Sequence, residues 1–484
     1  MRREPQNLDQ DPRVNKTLLE IVQSIRREVV RRFGSDLTFE QRRDAAVAVS
    51  NKALWLDEEQ DLLSLVSDAD ELCVEGTLYR RLEQPSSADY RGRWGAHHVE
   101  EPLYRLQGVR NGPTIKPVEL RAGIVERMTP DLARIVGQLS SEHTSRQLVS
   151  TLSAVGLVPP SRAPLEKQVK RMAAEMSEQV DELEQAARDA EAPPAGVAAV
   201  SCGMDRGAVR MVEPLDPTTA PASERREPYK RTPPAPSERR YRMAWNGNTT
   251  LYDGLGEPLH TFRYAAQADA DPAAIAQRIS ADVAWVAKHY PSIDLHCIQD
   301  GAPELRVLPR TLGPMLPENM DVQITDLIDF KHLLGYLDDI VDACEPPGDP
   351  RNKKDWYRDE LLRDDGAIER IWRKLKDLSK SIPKDKRKER KKRKAVAAAL
   401  SYIRTRKNRM RYASLHKQGL PIGSGDTENT VWLMQQRVKR PAQAWGSDGL
   451  RGVLVLRALV LSERWSSAWQ KFASTHRKEV REAA

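Results

Sequence analysis

With 484 residues the chain is too long for one ordinary domain, and two or three structural units are expected. An apolar share of 39% supports buried cores, 30% charged residues imply solvated stretches, and a net charge of +7 favours a polyanionic partner such as nucleic acid. Four dispersed cysteines, Cys73, Cys202, Cys297 and Cys344, include no C-x-x-C pair, which argues against a zinc ribbon or a disulfide framework and for a reducing cytoplasm.

The opening MRREPQNLDQ has no apolar segment behind its charges, so no secretory signal is expected. Between residues 15 and 33, Leu18, Ile21, Val22, Ile25 and Val29 recur at helical spacing with arginines opposite, and helical pattern continues to about residue 80. The stretch holding YRGRW and LQGVRNGPTIKPVEL reads as short strands and loops. Thr129 and Pro130 open a helix with the stripe Leu132, Ile135, Val136 and Leu139. A second helix runs from about Ser145 to Val155 and stops at Gly156, and Ser161 can cap a third that carries Lys167, Lys170 and Arg171. This order suits a helix-turn-helix that reads DNA, and equally a plain helical bundle.

After a Glu- and Ala-rich segment ending at Pro193-Pro194, VAAVSCGMD reads as a buried strand ending in Asp205. The Pro-, Ser- and Arg-rich residues 213–240 read as a flexible surface loop. Two strands follow, YRMAWNGNTTLYD and LHTFRYAA, then an amphipathic helix from Pro272 to about Tyr290 and the strand IDLHCIQDG around Asp300. A fifth strand near residues 322–324 completes the pattern of an α/β domain with a mixed sheet. Beyond it the chain is almost wholly helical. It includes the run KDKRKERKKRK (384–394), nine of whose eleven residues are basic, then a helix through Glu428 and a long closing helix from Gly449 to about Ala473. The apolar stretch Val453–Leu461 inside that last helix is broken by Arg457 and falls short of the ~20 residues that span a bilayer, so it is expected to be core.

Asp205 and Asp300 each close a hydrophobic strand, where α/β sheets place reactive groups, and Glu428 follows a Gly-Ser-Gly turn. Any one of them suits a turn or a helix cap. Together they suit a pair of hard divalent cations, which take oxygen ligands. Asp253 in LYDGLG is the alternative first acid, although a hairpin turn accounts for it without chemistry. Asp329 and His332 stand one helical turn apart as support residues, and Asp326 reads as a cap. Trp432, Gln435 and Lys439 share a helical face with Glu428, with Trp432 suited either to DNA or to the core. Arg437, Lys439 and Arg440 are candidates for phosphate, as are Lys386, Arg387, Lys391, Lys392 and Arg393 of the basic run, which otherwise forms a solvated face.

The segment GLPIGSGDTENTVWLMQQRVKRPAQAWGSDGLRGVLVLRALVLSERWSSAW resembles the DDE transposases of bacterial insertion sequences, and is most similar to the IS-Kra-type group. It has their P-I-G-S-G turn, acidic residue, basic helix, Trp-plus-Gly turn, L-x-L-R-A helix and terminal R-W in order. IQDGAPEL, LIDFKHLLGYL and GPTIKPVELRAGIVERMTPDLA extend the likeness over most of residues 100–470. SCGMDRG departs from the plainer strand usual before the first acid. The resemblance implies an α/β RNase H-like core, a mixed sheet flanked by helices, with an all-α insertion and a mainly helical N-terminal DNA-binding region in front. The expected divisions are 1–125 (helical and short-strand), 126–192 (helix-turn-helix-like), 193–337 (first core part), 338–411 (helical basic insertion) and 412–484 (last core part).

It further implies a catalytic, metal-binding triad of Asp205, Asp300 and Glu428 with two Mg²⁺ (or Mn²⁺) ions, acting in DNA strand cleavage and strand transfer. The implied partners are double-stranded DNA, as terminal inverted repeats and target, and a second copy of the chain or a larger assembly on that DNA. No membrane is involved, and the implied setting is the bacterial cytoplasm at the nucleoid. Two alternatives remain open: a transposase-derived protein that binds DNA without cutting it, and an RNase H-fold nuclease acting on hybrids or junctions.

Overall fold

The computed structural model describes residues 12–84, 86–215, 237–318, 324–344, 351–383 and 387–483. The chain divides into two compact units. One is residues 1–172 with 469–484, and the other is residues 173–468.

The first unit begins with helices α1 (Pro12–Phe33) and α2 (Phe39–Ser64). A capping box fixes the start of α2, Thr38 and Gln41 exchanging side-chain and backbone hydrogen bonds. Helix was expected to about residue 80, but it ends at Ser64. From Glu71 on, burial alternates along the chain, which is the period of a strand. Strands β1 (Glu71–Val74) and β2 (Thr77–Arg81) turn on Glu75-Gly76, both at positive φ. The short strands β3 (Ser87–Gly92), β4 (Gly95–Glu100), β5 (Tyr104–Leu106) and β6 (Thr114–Ile115) and helix α3 (Pro117–Ala122) follow. Leu62, Tyr90, Val99 and Val118 form a core there. Helices α4 (Pro130–Ser140), α5 (Ser145–Ala154) and α6 (Arg162–Glu178) start close to the expected positions, and α5 also stops close to its own.

The second unit takes up α7 (Val180–Ala190) and then β7 (Ala199–Pro214), β8 (Ser237–Tyr252) and β9 (Pro258–Ala266). Of the expected loop over 213–240, β7 takes up the residues to Pro214 and β8 those from Ser237, and residues 216–236 lie outside the described residues. Helix α8 (Pro272–His289), strand β10 (Asp294–Gln299), helix α9 (Val307–Met315) and strand β11 (Ile324–Ile328) complete a five-stranded sheet. Its order is β11-β10-β7-β8-β9, parallel from β11 to β7 and antiparallel from β7 to β9.

Helices α10 (Phe330–Cys344), α11 (Arg351–Arg363), α12 (Ala367–Ser381), α13 (Arg390–Arg404) and α14 (Ala413–Lys417) form a helical layer with its own core, in which Leu333, Leu337, Ile371, Val396 and Ile403 meet Ile298 and Leu327 of the sheet. Helices α15 (Gly425–Val438) and α16 (Ser447–Leu461) cover one sheet face through Met434, Leu450 and Leu454, while α8 covers the other through Ile275, Ile279 and Val283. The expected core role of Val453–Leu461 holds, since α16 is buried almost throughout.

The closing helix is broken, contrary to expectation. Glu463 adopts φ 60°, and α17 (Trp465–His476) starts afresh. After it β12 (Val480–Glu482) pairs with β1, so the last residues belong to the first unit and not to the sheet domain. No helix among the described residues is long and apolar enough to cross a membrane.

Candidate active site

Parallel pairing aligns three acids. The pairing of β10 with β7 ends at Cys297↔Cys202, and Asp300 and Asp205 each stand three residues beyond it, near enough for the Asp300 charge to act on Asp205. The register Gln299↔Ile328, carried one residue on, sets Asp329 beside Asp300, and Asp329 N–H donates to the Gln299 carbonyl at 2.8 Å. Asp300 and Asp329 follow the ends of β10 and β11, the position at which a sheet of this kind presents side chains to a ligand, whereas Asp205, expected to close its strand, lies within β7, which runs on to Pro214 past its last pair with β10.

Helix α15 brings Glu428 to the same place, by way of a missing side chain. A Cβ at Gly203, two residues before Asp205, would overlap Thr427 Oγ1 and lie 2.8 Å from the Ile298 carbonyl oxygen. At this one position β7, β10 and the first turn of α15 meet without room for a methyl group. Thr427 then locks the approach by donating from Oγ1 to Asn248 Oδ1 at 2.6 Å, both groups being buried.

Each of the three candidate ligands has one oxygen engaged nearby. Asp205 Oδ1 accepts from the Arg206 N–H at 2.6 Å and Asp300 Oδ1 from the Ala302 N–H at 2.7 Å. Glu428 Oε1 accepts a long contact from Ser424 Oγ at 3.5 Å. Burial pushes the Asp205 carboxyl above its ordinary value; the Arg206 N–H opposes this, and the negative charges of Asp300 and Glu428 push it further up. Among the described residues no three of His, Cys, Asp or Glu are gathered closely enough to grip an ion. The two findings are compatible, since charges act over several ångströms whereas a Mg–O bond is ~2.1 Å. The donor set fits a hard cation: every ligand is a carboxylate oxygen, and the mutual repulsion felt at Asp205 is what positive charge would relieve.

Asp329 is a positioning residue. Its Oδ1 accepts from the Ser424 N–H at 3.0 Å, and its Oδ2 from the His332 N–H at 3.1 Å. One buried carboxylate thus caps α10 and clasps the Gly-Ser-Gly turn that launches the Glu428 helix. His332 is exposed, and its ring lies 5.8 Å from those of Tyr336 and Tyr402. Tyr402 Oη donates to the Asp300 carbonyl at 2.7 Å, while Arg406 Nε donates to the carbonyl of Gly301, held at φ 84°. The end of α13 therefore grips the loop that carries Asp300.

The remaining candidates separate by exposure. Trp432 is 58% exposed, so it is not a core residue, and Lys439 on the same helix is exposed too. Arg437, expected to meet phosphate, is buried against the Trp445 ring, and burial with the charges of Arg440 and Arg457 pushes its pKa down to about 10. It is a packing residue. Arg440 is half-buried. Lys167, Lys170 and Arg171 are exposed along α6, with Lys170 paired to Glu166 and Arg171 to Glu126. In the basic run Arg387 and Lys391 are exposed. Lys392 pairs with Glu389, Arg393 donates to the Pro383 carbonyl, and Lys386 lies outside the described residues. Asp253 is a turn residue whose Oδ1 accepts from Leu255 and Glu257 N–H groups. Asp326, expected as a cap, lies within β11 and pairs with Arg409.

Sequence reading missed Gly203, Asn246, Asn248, Thr427, Tyr402 and Arg406. Of these only Gly203 had a visible signal: together with Gly207 it interrupts a core strand, which marks close approach by another segment. The chain matches no protein-family model and no curated protein sequence.

Proposed function

We propose that the chain is a DNA transposase of the DDE type, with an RNase H-like core, that cuts and joins strands at the ends of its element. The observation that carries this reading is the convergence of Asp205, Asp300 and the first turn of α15 around Gly203. The strand order β11-β10-β7-β8-β9 supports it, because an antiparallel trio followed by two parallel strands is the arrangement expected of that core. The resemblance of residues 419–469 to insertion-sequence transposases agrees in placing the last acid after the Gly-Ser-Gly turn.

In this reading Asp205, Asp300 and Glu428 would hold two Mg²⁺ or Mn²⁺ ions, which supply activation of the attacking oxygen and charge neutralisation at the leaving oxygen. Asp329 fixes the turn before Glu428, and Tyr402 with Arg406 fixes the backbone at Asp300. Trp432, one helical turn beyond Glu428, offers an exposed ring on which an unstacked base can lie, and Lys439 offers charge for the adjoining phosphates. The exposed cations of α6 and α13 suit duplex DNA in the same electrostatic way.

The test is cleavage of DNA carrying the element's ends, with Mg²⁺, by wild type, Asp300→Asn and Glu428→Gln. Both variants are expected to lose several powers of ten in rate while still binding the DNA. Wild-type cutting by either variant removes that residue from the site. Binding without cutting by the wild-type chain points to a protein that only holds DNA, and preference for RNA–DNA hybrids or junctions points to a different nuclease.

A further inference from the structure

Asn246 stands on β8 directly opposite Asp205 on β7, so the two side chains share the sheet face covered by α15. It is 2% exposed. Its Nδ2 donates to the Ala244 carbonyl at 3.1 Å, which fixes the orientation of the amide, yet its Oδ1 is buried with no donor among the described residues. A buried carbonyl oxygen left without a donor forfeits its hydration with nothing in return, so a donor is expected to be supplied from elsewhere. Gly207, on the same face as Asp205, has no side chain, and a Cβ there would crowd Gln435 Nε2 at 2.8 Å and Asn246 Nδ2 at 3.2 Å, so the helix side of this face is closely packed.

As placed, no side chain among the described residues donates to it. Arg206 turns away to Glu304 and the Trp245 ring, on the opposite face, and Thr427 is committed to Asn248. What remains is water brought in with a ligand at Asp205, the residue paired with Asn246 across the strands. A small hard cation keeps part of its hydration shell when carboxylates bind it, and acceptors around the site fix those waters and with them the ligand.

We propose that Asn246 is a positioning residue of the candidate centre: its Oδ1 accepts a hydrogen bond from hydration water at Asp205 and thereby favours uptake of a divalent cation by that carboxylate. The inference rests on the metal-dependent reading of Asp205 given above. It adds a residue that neither the acidic triad nor the strand-end pattern includes. Gln435, whose Nε2 packs over Gly207, lies beside it on the helix side.

Binding of Mn²⁺ alone to the full-length chain, followed by the paramagnetic signal of the free ion, tests this without any DNA or turnover. Asn246→Leu, close in volume and lacking the acceptor, is expected to weaken Mn²⁺ binding about tenfold. Asn246→Asp, which keeps an acceptor oxygen, is expected to bind at least as tightly as wild type, and Asp205→Asn to lose the site. Melting curves without metal identify any variant that does not fold, in which case Asn246→Ala replaces Asn246→Leu. If Asp205→Asn loses Mn²⁺ while Asn246→Leu stays within twofold of wild type, Asn246 has no such role and the reading of Asp205 stands. If Asp205→Asn also binds as wild type does, the metal reading of the site fails, and the role of Asn246 with it.

Discussion

Two carboxylates of the sheet domain are withdrawn from water in opposite company. Asp282, on α8, is wholly buried, yet its carboxyl lies below the ordinary range. Burial pushes it up, but Arg464, Arg188 and Tyr264 outweigh that, Arg464 Nη1 donating at 2.7 Å and Arg188 Nη1 at 3.1 Å. Arg464 is itself pressed against the Phe262 ring. Asp205, on β7, has acids for company, and its carboxyl is raised. The first carboxylate is neutralised by the fold. The second is left to be neutralised by something the fold does not contain, and that difference separates a structural ion cluster from a candidate site.

The comparison can be broken at either end. The largest effect is expected at the uncompensated end, where Asp205→Asn should lower Mg²⁺-dependent strand cleavage by several powers of ten in a gel assay; retained cutting would move the first ligand elsewhere. At the compensated end Arg464→Met should cost about 3–5 kcal/mol in urea unfolding, because it strands Asp282 with a single guanidinium. A cost below about 1 kcal/mol would show that Arg188 and Tyr264 suffice.

Asp329→Ala lies between the two, since it removes a helix cap and the clasp on Ser424 together. About 1–2 kcal/mol of stability and part of the cleavage rate should be lost, with Asp329→Asn recovering most of both. An equal loss in both variants would make the negative charge, not the clasp, the working feature.

The smallest effect has the opposite sign. Asp205 holds its proton more tightly in the folded chain than in the unfolded one, so its contribution to stability is fully present below the ordinary value of 3.8. That contribution is lost as pH rises through the higher folded value. Without metal at neutral pH, Asp205→Asn should therefore raise Tm by roughly 2 °C, and the gain should vanish in acid. Mg²⁺ should narrow the same gap at pH 7. A fall in Tm would mean that Asp205 is already compensated.

Part of this site was legible in the chain. Asp205 and Asp300 each follow a hydrophobic run, and Glu428 follows a turn of small residues; these are local signals, although only β10 ends at its acid and β7 runs on past Asp205 to Pro214. Tyr402 and Arg406 could not be found that way, because their hydrogen bonds reach Asp300 and Gly301 across about a hundred residues of sequence. Arg437 misled for a similar reason. It sits among basic residues on a helix, and only packing against Trp445 shows that it is covered.

Local pattern was enough to determine the start of α4, the limits of α5, the core character of Val453–Leu461 and the alternation of strands with helices, because each depends on neighbours within a few residues. Tertiary structure alone decided the strand pairing that brings Asp300 near Asp205, the break at Glu463 and the pairing of β12 with β1. It also decided the close approach at Gly203 and the exchange of Asp326 from a cap to a partner of Arg409. Each of these is fixed by space and charge shared between segments far apart in the chain, which no local pattern contains.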